Sequence, residues 1–78
     1  MPTVLRVDGF DLVILLPPRE HGPAHVHVRN AGCEVVILLS SLRVRKVEGM
    51  RPPDVVTAVG IVANHQSELL AAWRKHHG

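Results

Sequence analysis

The chain has 78 residues, 46% of them hydrophobic, with nine Lys and Arg against seven Asp and Glu and a formal net charge of +2. A single domain, 1–78, of this size buries only about 60–65% of the surface its unfolded chain exposes, so extra support for its core is expected, from self-association or a metal. The lone Cys33 excludes an internal disulfide and fits a reducing compartment, and apolar runs no longer than Leu12 to Leu16 and Val35 to Leu39 exclude a membrane-spanning helix.

The opening Met1-Pro2-Thr3 carries no basic leader or small-residue cleavage site, so a cytoplasmic location is the expectation. Thr3 to Val7 and Phe10 to Leu16 are β-branched or aliphatic runs joined by Asp8-Gly9, the turn chemistry of a β-hairpin. Pro17-Pro18 ends the second run, because proline lacks the ladder donor, and residues 17–24 read as a loop. His25 to Arg29 alternates so that Val26 and Val28 share one face while His25, His27 and Arg29 share the other.

Asn30-Ala31-Gly32 then turns the chain into Glu34 to Leu39, with Gly32 free to adopt positive φ. A three-residue loop sets Arg29 opposite Cys33, whereas a four-residue loop sets it opposite Glu34 and makes a cross-strand ion pair. Ser40 to Met50 alternates only partly, through Leu42, Val44 and Val47, and reads as a short fifth strand or a turn-rich connection. Pro52-Pro53-Asp54 suits a first helical turn.

One long helix over residues 53–76 is expected to follow, with Val55, Val59, Val62, Gln66, Leu69, Leu70, Ala72 and Trp73 on its inner stripe. The expected fold class is therefore α+β: a small antiparallel sheet of four to five strands, built as two hairpins, with one long C-terminal helix packed on one face. Val13 to Leu16 and Val35 to Leu39 are apolar at consecutive positions, so the second face of the sheet is also expected to be aliphatic and to need a cover. A second copy of the chain, giving a homodimer or higher homo-oligomer, is the simplest candidate.

The histidines carry the most chemistry. His25 and His27, two apart on a strand, leave the same face about 6.5–7 Å apart at Cα. His21 lies across the Gly22-Pro23 bend, and His65 sits on the flank of the helical stripe. Together His21, His25, His27 and His65 form a candidate site for zinc, three imidazoles leaving an open position and a fourth closing it. His25 and His27 also suit acid and base roles in a small ribonuclease, with Arg29 stabilising phosphate charge and Arg43, Arg45 and Lys46 holding an RNA backbone. Phe10 and Trp73 are the only aromatic residues, so no base-stacking platform accompanies that basic run. The histidine-triad nucleotide hydrolases place a third histidine where Arg29 stands, so the alternation departs from their motif. The plain alternative is a set of surface histidines on the wet face of a strand.

Taken together, Met1 to Val7, the stretch His21, Pro23, His25-Val26-His27-Val28, and the segment Val62 to Trp73 with His65 resemble the bacterial domain-of-unknown-function family 4160 along nearly the whole chain. The resemblance implies a neighbouring gene encoding a second small domain of unknown function, numbered 2442, in a toxin–antitoxin type of module. Leu12-Val13-Ile14-Leu15-Leu16 stands where members usually carry aromatics, and Ala24 replaces a second proline of the bend. Three functions follow: an interaction component binding itself or the neighbouring protein, a ribonuclease-type toxin, or a metal-binding protein.

Overall fold

The computed structural model describes residues 3–15 and 23–77. Five strands come first: β1 (Thr3–Val7), β2 (Phe10–Ile14), β3 (His25–Asn30), β4 (Cys33–Leu38) and β5 (Val44–Glu48). Two helices follow, α1 (Pro52–Asn64) and α2 (Gln66–His77). The strands form one antiparallel sheet in the order β1-β2-β3-β4-β5, so each pairs with its neighbour in sequence. The expected end of the second strand at Leu16, the Pro17-Pro18 stop and His21 lie outside the described residues.

Both tight hairpins close on two residues at positive φ. Asp8 (49°) and Gly9 (82°) join β1 to β2, and Ala31 (49°) and Gly32 (79°) join β3 to β4. Such pairs are type I′ turns, whose twist matches that of the flanking strands. The pairing of Asn30 with Cys33 leaves only Ala31 and Gly32 in the second turn and sets Arg29 opposite Glu34, the second of the two registers open from sequence.

The register puts Phe10, Leu12 and Ile14 of β2, Val26 and Val28 of β3, and Val35 and Ile37 of β4 on one face, with Leu39 just beyond; all are buried. The helices cover this face, α1 against β4 and α2 against β2. Ala58, Ile61 and Val62 of α1, Leu69 and Trp73 of α2, and Met50 before α1 complete the core. Each fully buried aliphatic side chain contributes about 1.5–3 kcal/mol by leaving water.

The single C-terminal helix expected from the pattern is two helices. At His65 the backbone leaves helical geometry (φ −117°, ψ 16°), and its N–H bonds back to the carbonyls of Ile61 and Val62. One local and one distant contact hold the break. His65 Nδ1 lies 3.1 Å from Glu68 Oε1, in the i to i+3 relation of a capping interaction, and Gln66 Nε2 donates to the Leu39 carbonyl at 2.5 Å. Tertiary attachment of Gln66 to the end of β4 thus replaces continuation of one rod. The break also changes the inner stripe: Ala58 and Ile61 are buried, while Val55 and Val59 pack only partly.

The second sheet face carries Val13, Val36 and Leu38, aliphatic as expected, but not as an open surface. Val13 and Val36 are each 6% exposed within the single chain, so they form no open apolar patch. Among the described residues the exposed large hydrophobics are instead Val44, Val47 and Val56.

β5 is where alternation fails. Val36 pairs with Lys46 but Ile37 pairs with Val44, so Arg45 is an extra residue, a β-bulge. A bulge lets Val44 and Val47, three apart, both lie on the helix-covered side, and re-aims the side chain between them.

Candidate functional site

The site is built on the sheet face away from the helices, where the register arranges polar side chains in rows across the strands. In one row Arg6 pairs with Asp11, Asp11 with Arg29, and Arg29 with Glu34, alternating in sign from strand to strand. Arg6 Nε lies 3.1 Å from Asp11 Oδ1, and Arg29 Nε donates to Glu34 Oε1 at 2.6 Å. In the next row Val13, His27, Val36 and Lys46 are successive partners. His25 lies one row further along, opposite Leu38.

His25, expected on a wet face, is 3% exposed. Its Nδ1 lies 2.8 Å from the carbonyl oxygen of Pro23, which can only accept, so Nδ1 carries the proton in this contact. The His25 ring stands edge-on to His27 with centroids 5.3 Å apart, and 5.0 Å from the Trp73 ring. Trp73 thus reaches the ring of His25, the first residue of β3. His27 Nδ1 is 3.6 Å from Glu34 Oε2, so one carboxylate faces both Arg29 and His27. Burial pushes the Glu34 carboxyl up, but the Arg29 hydrogen bond, the proximity of the His27 ring and the Arg29 charge outweigh it and hold Glu34 below the ordinary carboxylate range.

A depression of about 210 Å³ opens beside this pair, lined by His25, His27, Val36, Arg45 and Lys46. Lys46 Nζ lies 2.7 Å from Glu48 Oε1, and that hydrogen bond and charge raise the Lys46 pKa. Arg45 reaches the depression because the bulge turns it to the same side as Lys46.

The structure therefore brings His25 and His27 together and redistributes the other expected roles. Arg29, expected to stabilise phosphate charge, is engaged by Glu34, and the cations beside the imidazoles are Arg45 and Lys46. His65 sits at the helix junction against Glu68. Among the described residues no three His, Cys, Asp or Glu side chains come together as metal donors, so His65 does not join His25 and His27 in such a group. His21, the remaining expected donor, lies outside the described residues. Cys33 packs by its turn, its Sγ 3.3 Å from the Gly49 carbonyl.

An antiparallel five-strand meander backed by two helices, with a paired-imidazole depression on its other face, defines a small α+β domain with a polar surface site. No described helix is long and apolar enough to cross a membrane. The chain belongs to the family described as domain of unknown function (DUF4160), whose profile matches residues 9–74. That span holds β2 to β5 and most of both helices, including His21, His25, His27 and His65. No curated protein and no solved structure matches the chain.

Proposed function

We propose that the protein is the interaction component of a two-gene module of toxin–antitoxin type, and that it takes an extended, acidic segment of the protein encoded beside it onto the free edge of β5. The observation that supports this reading is β5 itself. It is the last strand of the sheet and is exposed at all five positions, including Val44 (41%) and Val47 (46%). An edge strand offers unpaired N–H and C=O groups to an incoming strand, the physics of β-augmentation. A sixth strand laid there would also cover Val44 and Val47.

Charge favours an acidic occupant: residues 43–51 hold Arg43, Arg45, Lys46 and Arg51 against the single carboxylate of Glu48. Two copies pairing symmetrically about Lys46 would set lysine opposite lysine, which disfavours a second copy in that register. The test is hydrogen exchange of the β5 amides with and without the neighbouring gene product. Protection of residues 44–48 on binding, weakened by Arg43→Glu and by Val47→Glu, is the expected result. Binding that leaves β5 exchange unchanged overturns it, as does a dimer already protected at β5 when alone.

A ribonuclease is the second reading, favoured by the close approach of the His25 and His27 rings. Its test is RNA integrity after induced expression of the wild type and of His27→Gln. Intact RNA in both removes it.

A further inference from the structure

We infer that the depression beside His25 and His27 is a binding site for a phosphate ester, with Arg45 as its principal anchor and Lys46 as its second cation. This site lies on the sheet face rather than along the β5 backbone edge, although it draws Arg45 and Lys46 from β5, and it stands whether or not RNA is cut.

Size selects the ligand class. The depression holds about 210 Å³, below the roughly 300–1,000 Å³ of pockets that enclose a whole drug-sized molecule. It therefore takes one anionic group and leaves the rest of the ligand in solvent. Its walls match such a group: a guanidinium, an ammonium and two imidazoles surround the aliphatic floor of Val36. Guanidinium is the side chain whose fork of donors fits two phosphate oxygens at once.

The charge arithmetic selects Arg45 among the cations. Arg29 and Arg6 are committed to Glu34 and Asp11, and Lys46 is shared with Glu48. Arg45 makes no ion pair among the described residues, and it owes its position to an inserted residue that the strand pairing does not require. Glu34, on the imidazole side, has its charge offset by Arg29. Among the described residues Glu48 competes most directly with an incoming phosphate, by holding Lys46.

The ester's source is either a free mononucleotide or the backbone of single-stranded RNA, which share this chemistry. The experiment is NMR titration of labelled full-length protein with inorganic phosphate, then uridine 3′-monophosphate, then a short uridine oligonucleotide. Saturable shifts are expected at His25, His27, Arg45 and Lys46. Arg45→Ala should weaken phosphate binding about tenfold, the loss of one charge-assisted contact. Glu48→Gln should strengthen binding by releasing Lys46. Both sites are exposed, so neither substitution threatens the fold. Tighter binding of the oligonucleotide than of the mononucleotide assigns the site to an RNA backbone, and equal affinities assign it to a free phosphate ester. Shifts that fail to saturate, or that Arg45→Ala leaves unchanged, overturn the site. Arg43→Glu and Val47→Glu should leave phosphate binding intact, which separates failure here from failure of the partner interface.

Discussion

Replacing Glu34 by Gln probes the cross-strand network directly. In the folded protein Glu34 accepts from Arg29 at 2.6 Å and faces His27 at 3.6 Å, with the Glu34 side chain 22% exposed and that of Arg29 47% exposed. Fully exposed ion pairs contribute about 0.2–1 kcal/mol, and breaking a buried one costs about 3–5 kcal/mol. A half-wet pair with one short, charge-assisted bond falls nearer the first value. We expect a loss of about 1 kcal/mol at neutral pH, equivalent to a fall in Tm of roughly 4–8 °C for a domain of this size. The pH dependence follows from the direction of the shift. The folded Glu34 pKa lies below its ordinary value of 4.5, so its stabilisation is fully present above that value and is lost as pH falls through the folded pKa. Thermal melts of wild type and Glu34→Gln by circular dichroism should therefore differ at pH 7 and converge in strong acid. Equal melts at pH 7, or a gap that persists unchanged into strong acid, would refute the reasoning.

The β3–β4 turn should be improvable, because Ala31 holds φ at 49°, where an L-residue costs about 1–2 kcal/mol. Ala31→Gly, after glycine's greater unfolded-state entropy, should stabilise by about 0.5–1 kcal/mol in urea unfolding; an unchanged or lower midpoint contradicts a type I′ turn there. Gly32→Ala should destabilise by about 1–2 kcal/mol for conformational reasons alone, since an added Cβ meets nothing within 4 Å. Zinc tests the metal reading: with His25 and His27 as the available pair, His21 must complete the donor set, so zinc should raise the Tm of wild type and not of His21→Ala. Melts indifferent to zinc and to chelator remove it.

Much of the sheet was legible because its determinants are local. Asp8-Gly9 announces a type I′ turn, and the alternation His25-Val26-His27-Val28-Arg29 assigns each residue to the face it occupies. The Arg29–Glu34 register was not legible, because it depends on Ala31 sharing the left-handed region with Gly32, a conformation for which alanine has no preference. The helix break at His65 was hidden for a similar reason: neither Gly nor Pro marks it, and the Gln66 contact that supports it comes from the end of β4, 27 residues earlier. At β5 the signal was present but reads correctly only with the structure. Val44 and Val47 stand three apart because Arg45 is inserted between them, so the irregularity is the bulge rather than the absence of a strand. The same insertion explains how Arg45, expected with Arg43 and Lys46 to hold an RNA backbone, comes to line the depression beside the histidines. Burial of His25 against Trp73 was equally illegible, since strand alternation assigns a face but not what lies over it.

The sequential strand order has a consequence for how this protein is made. Every pairing joins neighbours along the chain, so each hairpin closes a short loop and the sheet can assemble in step with synthesis. Its cover comes last. Leu12, Ile14, Val26, Val28, Val35 and Ile37 face the helices, and Leu69 and Trp73 follow the last strand. At about 5–20 residues per second, the roughly 25 residues between Glu48 and Trp73 take about 1–5 s to synthesise. For that interval a nascent sheet presents an uncovered aliphatic face and an open β5 edge together, which makes the ribosome-bound chain the state most in need of a chaperone or an early-arriving partner.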